Sequence, residues 1–284
     1  MKFSIITPSF NSLAYLPRCA ASVADQSRSE RGQDVDIDRI VVDGGSTDGT
    51  VEWLKAQAGI RWVSEKDRGM YDAVNKGLKM AQGDIWGYIN CDEQYLPGTL
   101  EAVADTFQRH PEADIVFGDM LAIRPDGSLV AFRKSYPLHW WYIPVDHLYV
   151  FTCALFYRRK IIEDGFLFST EFRDVSDADF IIRLLRAGYR PRHLRRYLSV
   201  YTMTGANLSL GERAVREKSR ILESAPAWVR RGRHVLNGLR LAEKLLSGAY
   251  FQAGPISYSI YGSDPGAGRQ VLMAEKPSFR WRAG

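Results

Sequence analysis

Cysteine is scarce in this chain, three in 284 residues, and Cys19, Cys91 and Cys153 lie far apart without CxxC spacing. That excludes a disulfide framework and a zinc cage, and it suits a reducing compartment. No run of about 18 apolar residues occurs, so no spanning helix is expected. The apolar stretch behind Met1-Lys2 is too short and too polar for a signal peptide, so the expected location is the cytoplasm. There is no GxGxxG, no phosphate loop ending in GK[ST], no internal repeat and no low-complexity tract. What is present is ordinary for a soluble globular protein: 45% hydrophobic and 25% charged residues. The length predicts one large domain, or one domain and a tail, able to bury roughly three quarters of its unfolded surface. Charge is unevenly spread. The whole chain is +5, but residues 228–284 hold nine Lys and Arg against three Asp and Glu, or +6, which leaves about −1 for the rest. A basic tail suits an anionic surface such as lipid head groups, or nucleic acid.

The first half alternates strand and helix patterns. Apolar, β-branched runs at Phe3–Thr7, Arg39–Asp43, Ile60–Ser64, Ile85–Asn90 and Ile115–Asp119 predict strands. Helical spacing at Leu13–Ala24, 50–57, Tyr71–Ala81 and Thr99–His110 separates them, and Asp25–Asp38 reads as a loop. That order predicts an α/β fold with an open, mostly parallel sheet covered on both faces, whose ligands bind at the carboxyl ends of the strands. Polar groups gather at those ends: Thr7, Asp43, Glu65 to Arg68 and Asn90 to Glu93. The second half is less regular, with aromatics crowded into Tyr136–Tyr149 and a helix opened by Asp177-Ala178-Asp179. Beyond Leu210 the pattern is helical and basic.

Four constellations have chemical content. Asn90-Cys91-Asp92-Glu93 at a strand end offers carboxylates to a hard divalent cation, or forms a plain turn. Asp43-Gly44-Gly45-Ser46-Thr47-Asp48-Gly49-Thr50 permits close backbone approach to an anion at a helix start, or is a tight connection capped by Thr47 or Asp48. In Glu65–Gly77, Arg68 or Lys66 suits phosphate or a base, or the segment is a solvated helix start. Asp177, at a helix start that stabilises its charge, suits a general base or an N-cap.

In this order along the chain the four motifs resemble a family 2 glycosyltransferase of the GT-A fold. The resemblance rests on Ile5-Ile6-Thr7-Pro8-Ser9-Phe10-Asn11, Ser22-Val23-x-x-Gln26, Val42–Thr50, Glu65–Gly77, Gly83-Asp84, Asn90-x-Asp92-Glu93 and Ala154-x-Phe156-x-Arg158-Arg159, over about residues 2–202. It implies a nucleotide-sugar donor, often a uridine diphosphate sugar, Mg²⁺ or Mn²⁺, and inversion at the anomeric carbon. Thr7, Pro8 and Asp43 then hold base and ribose, and Asp67 and Arg68 line base and diphosphate. Asn90-Cys91-Asp92 stands at the DXD position, with Asp92 on the metal. Asp177 is the base and Asp179 the fallback. This sequence departs from the pattern at Asn90, at Glu93 and in Ser-Asp-Ala-Asp at the late motif.

The implied organisation is a catalytic domain over 1–210, split into a donor-binding half (1–119) and an acceptor-side half (120–210), followed by a basic, partly amphipathic helical extension (211–284). Trp140, Trp141 and His147 are candidates for the acceptor side, with ordinary core packing as the alternative. Over 228–250, Val235, Leu239, Ala242 and Leu246 share one helical face and Arg230, Arg231, Arg233, Arg240 and Lys244 supply charge. Such a helix suits peripheral docking on the inner face of the membrane, next to a saccharide or lipid-linked acceptor, or packs back on the domain or a second subunit. A sugar-nucleotide nucleotidyltransferase is the competing enzyme, but Pro8-Ser9-Phe10-Asn11-Ser12 lacks the glycine-rich basic loop it needs. A nucleic-acid binder is disfavoured because acids at Asp43, Asp67, Asp92 and Asp177 would repel phosphates.

Overall fold

The computed structural model describes residues 1–27, 34–205 and 211–280. Its first half is β1 (Lys2–Ser9), α1 (Leu16–Ala24), β2 (Asp36–Asp43), α2 (Thr50–Lys55), β3 (Ile60–Ser64), α3 (Met70–Met80) and β4 (Ile85–Tyr88). These strands pair in parallel in the order β3-β2-β1-β4. Phe3 to Ser9 are all buried, as a parallel strand with helices on both faces requires. Alternate residues divide between two apolar clusters. Phe3 and Ile5 pack with α1, while Ile6 packs with Val74 and Leu78 of α3. Helix α3 sits close on β1: a Cβ on Gly77 would lie 2.5 Å from Ile6 Cγ2.

The chain continues through β5 (Glu93–Tyr95), α4 (Thr99–Arg109), β6 (Ile115–Ile123), β7 (Leu129–Arg133), β8 (Leu155–Arg158), α5 (Lys160–Glu163), α6 (Ser176–Arg186) and β9 (Pro191–Thr202). The nine-stranded sheet runs β3-β2-β1-β4-β8-β6-β9-β5, with β7 on β6. Antiparallel ladders enter in this half, although β6 and β9 are parallel. β4 and β5 stand four places apart in that order, yet only residues 89–92 join them. Four strand spacings are about 19 Å across a flat sheet, which a turn of four residues cannot span, so the sheet curls. The curl carries Asn90–Asp92 over the carboxyl ends of the strands.

The tail holds α7 (Glu212–Ser224), α8 (Ala227–Arg231) and α9 (Arg233–Leu246), then a hairpin of β10 (Ile256–Tyr261) and β11 (Arg269–Ala274). The hairpin corrects the reading of an all-helical tail. Its signal is a period of two: Ile256, Tyr258 and Ile260 are buried against Leu121, Ile123, Phe132 and Val200. Gln94 exchanges hydrogen bonds with the Tyr261 backbone at 3.0 and 2.7 Å, and Arg269 pairs with Asp25 through two contacts at 2.5 and 2.9 Å. Helix α9 packs with Leu236, Asn237, Arg240, Glu243 and Lys244 turned toward the protein. Val235, Leu239 and Leu246, 68%, 53% and 87% exposed, face outward with Ala242. The apolar face therefore does not pack back on the sheet. Among the described residues no helix is long and apolar enough to cross a membrane.

Candidate active site

A cavity of about 1270 Å³ opens at the carboxyl ends of β1, β3 and β4. Of the residues predicted from sequence, Pro8, Asp67, Asn90, Cys91, Asp92, His147 and Asp177 line it. Thr7, Asp43, Arg68, Asp179, Trp140 and Trp141 do not.

Asp43 is fully buried at the end of β2, directly behind the rim. Its carboxylate accepts from Gly45 N at 3.1 Å, Ser46 N at 2.9 Å and Ser64 Oγ at 2.6 Å. Asp48 accepts from Thr50 N at 3.1 Å and Leu13 N at 2.9 Å. The two acids thus staple the glycine-rich turn. Gly44 leaves room for Asp67, since a Cβ there would fall 2.6 Å from Asp67 Oδ2 and push that carboxylate aside. Asp67 in turn accepts from Gly69 N at 2.8 Å at the start of α3. Arg68 points outward, 72% exposed in its side chain, and pairs with Asp72 at 3.1 Å.

Beyond β4, Asn90 N donates to Glu93 Oε2 at 2.7 Å, and Cys91 Sγ donates to Pro8 O at 3.3 Å. These bonds turn the Asp92 side chain toward the cavity. Burial pushes the Asp92 carboxyl up, opposed by Arg18 of α1. Glu93, enclosed and beside Asp92, is pushed up as well, first by burial and then by that neighbour. Among the described residues no three His, Cys, Asp or Glu side chains converge as a metal cage. One cavity-facing carboxylate fits a cation held mainly by substrate phosphates and water, the usual manner of Mg²⁺.

Asp177 lies in the first turn of α6. It accepts from Ala178 N at 2.9 Å and from the Tyr71 hydroxyl. Burial pushes its pKa up, while these bonds and Lys218 act the other way. The buried rings of Tyr71, Tyr88 and Tyr157 surround it. Tyr71 stacks on Phe168 at 5.4 Å, and Asn75 pins Phe168 by bonds to its O and N at 2.8 and 2.9 Å. Asp179 instead holds Arg183 at 2.8 Å, outside the cavity.

Sequence reasoning missed the clamp on this turn. Glu217 of α7, buried, accepts from the backbone N–H of Arg173, Asp174 and Val175 at 2.9, 2.9 and 3.2 Å. Arg213 grips Asp174 through two bonds at 2.9 and 2.8 Å. Nothing local marks Glu217, because its partners lie more than forty residues upstream. The aromatic cavity wall comes from the expected segment but from other rings: Tyr136 and Tyr149, stacked 4.2 Å apart. Trp141 stacks on His139 at 4.6 Å and Trp140 meets Trp228 at 5.6 Å, outside the cavity.

Comparison with known proteins agrees with this geometry. Residues 4–166 match the family described as Glycosyl transferase family 2. The PGL/p-HBAD biosynthesis glycosyltransferase of Mycobacterium tuberculosis is 31% identical over 208 residues, covering 70% of this chain and 74% of that protein. The hyaluronan synthase of Pasteurella multocida is 24% identical, over 76% of this chain and 22% of the synthase. Among solved structures, S. aureus TarS 1-349 in complex with UDP-GlcNAc superposes with a TM-score of 0.60 at 19% identity, over 87% of this chain and 73% of that one. A longer TarS chain, of which this chain covers 44%, gives 0.58 at 19% identity over 86% of this chain. The sheet with helices on both faces, the cavity at its strand ends and the matched residues have one conclusion: this chain belongs to glycosyltransferase family 2, and is a transferase of the GT-A fold.

Proposed function

We propose that this chain transfers a sugar from a uridine diphosphate sugar to a hydroxyl of a saccharide or lipid-linked acceptor, in glycolipid or polysaccharide synthesis. The observation that carries the reading is that Asp92 and Asp177, 85 residues apart in sequence, line the same cavity. The donor reading is supported by the UDP-GlcNAc bound to the TarS neighbour, and the glycolipid reading by the mycobacterial relative. Pro8 and Asp67 line the base and ribose end, with the buried Asp43 holding the glycine-rich turn behind them and Thr7 buried in β1 beside Pro8. Asn90 and Cys91 present Asp92, which would hold Mg²⁺ or Mn²⁺. The cation supplies Lewis-acid stabilisation of the charge that develops on the leaving diphosphate. Asp177 accepts the proton of the acceptor hydroxyl as that oxygen attacks the anomeric carbon from the face opposite the diphosphate. The product is inverted. Burial among tyrosine rings makes Asp177 more basic than an exposed carboxylate, which favours this role. The 120–210 half bears the acceptor side, with His147 at the cavity wall.

Thermal shift against a panel of nucleotide sugars, with and without Mn²⁺, tests the reading. At a hundred times Kd a ligand adds about 2.7 kcal/mol, a readily measured rise in melting temperature. Stabilisation by a uridine diphosphate sugar, dependent on metal, is expected. No stabilisation by any nucleotide diphosphate sugar would overturn it.

The exposed face of α9 supports peripheral docking on an anionic membrane surface through residues 228–250. Val235, Leu239 and Leu246 are accompanied by Trp228, 53% exposed, and by the exposed Arg230, Arg231 and Arg233. Apolar side chains beside cations suit the interface of an anionic bilayer. Flotation with phosphatidylglycerol vesicles should be lost in Leu239→Glu with Leu246→Glu. Equal flotation of the double variant and wild type would reject the idea.

A further inference from the structure

One wall of the cavity carries more positive charge than the chemistry above employs. Strand β7 and the residue after it bring Arg133 and Lys134 to the lining, and α9 brings Lys244. Behind them the buried Arg240 donates to Tyr136 Oη at 2.8 Å and pairs with Asp146 at 2.6 Å. Asp146 is already shared, because His147 Nδ1 meets the same oxygen at 2.6 Å. Glu243 is turned to His139 at 3.3 Å. Lys134 Nζ donates to the Phe251 carbonyl at 2.6 Å. The Lys244 ammonium lies over the rings of Tyr250 and Tyr136, at 4.6 and 5.9 Å. Burial, then Arg133 and Arg240, push the Lys244 pKa down to about 8, against the pull of Asp146. Cations therefore outnumber anions at this wall.

The orientation of α9 sharpens the point. Hydrophobic burial alone would turn Val235, Leu239 and Leu246 inward, at about 1.5–3 kcal/mol for each large side chain. The helix instead turns Arg240 and Lys244 inward. A half-buried ammonium facing a cavity gains most when a ligand brings the opposite charge.

We propose that the wall formed by Arg133 and Lys244 is a subsite for an anionic substituent of a sugar substrate, a carboxylate or a phosphate other than the donor's diphosphate. The inference rests on the glycosyl-transfer reading and names the substrate class within it. The anion belongs either to the donor sugar or to the acceptor.

Isothermal titration calorimetry on the full chain separates these sources. The donor arm compares UDP-glucose with UDP-glucuronate. The acceptor arm, with UDP bound, compares a neutral hexoside with its uronate and its phosphate. Wild type, Lys244→Met, Arg133→Gln and the conservative Lys244→Arg are measured, with UDP alone as control. Wild type should prefer the anionic member of one arm by about tenfold, as one charge-assisted contact allows. Met and Gln should reduce that preference to about twofold or less, and Arg should restore it, while UDP affinity stays within about twofold. Equal binding in both arms, or a preference that survives both substitutions, would overturn the subsite. So would a loss of UDP affinity as large as the loss for the anion, since the wall would then serve the diphosphate. If wild type binds no nucleotide at all, the glycosyl-transfer reading itself falls.

Discussion

Replacing Asp177 by Asn keeps the shape of the side chain and an acceptor oxygen for Ala178 N, 2.9 Å away. What it removes is the capacity to take a proton. A positioned base contributes about 10²–10⁴ in rate, or about 2.7–5.5 kcal/mol of barrier. Stability should hardly move. The lost charge at the start of α6 forfeits about 0.3–1 kcal/mol of dipole stabilisation, and relief of a desolvated carboxylate offsets it. A net change within about 1 kcal/mol is expected. Turnover is read by UDP release with donor and acceptor saturating, and stability by urea unfolding. More than about a tenth of wild-type turnover would refute the base. A large loss of stability would recast Asp177 as a helix-start residue. The pH profile adds a sign. Burial raises this pKa, so the base is protonated, and kcat/KM lost, at a higher pH than an ordinary carboxylate would give as pH falls. An acid limb at or below the usual carboxylate range would contradict that.

Three further outcomes follow from the same contacts. Glu217→Ala strands three backbone N–H groups before α6 and should cost about 3–5 kcal/mol in urea unfolding, whereas Glu217→Gln should lose clearly less. Asn75→Ala removes both bonds to the Phe168 backbone beneath Tyr71 and should cost about 2–4 kcal/mol; a change under about 0.5 kcal/mol would show that water replaces the side chain. Asp92→Asn should abolish Mn²⁺-dependent stabilisation by UDP in thermal shift while leaving the apoprotein as stable or more so, since burial already disfavours its charge.

Much of the donor half was legible because its signals are local. A buried parallel strand reads as an apolar run, and a strand-end turn reads as Gly, Asp and Asn, so β1 to β4 were legible as strands, while Asp67 and Asp92, and Asp177 in the second half, were singled out through the family resemblance. The second half resisted for an equally physical reason. β9 is rich in arginine and half-exposed along its first residues, yet it pairs with both β6 and β5. Its strand character comes from partners nearly eighty and more than a hundred residues away. The hairpin of β10 and β11 was hidden by a tail composition that suggests helix, although its alternation is present at Ile256, Tyr258 and Ile260. Trp140 and Trp141 show the limit of composition: the segment was right, but packing chose Tyr136 and Tyr149 as the rings that meet the cavity.

By itself the sequence determined the alternation of strand and helix, the family and the amphipathic character of α9, because each is a periodicity or motif written over a few adjacent residues. Only the tertiary structure decided which side of α9 faces inward, that Asp43 is a buried staple while Asp92 and Asp177 share one cavity, and that Glu217 holds the turn carrying Asp177. Those are facts about surfaces meeting across long separations. A helix's pattern tells that it has two faces, and only the shape and charge of what it packs against selects between them.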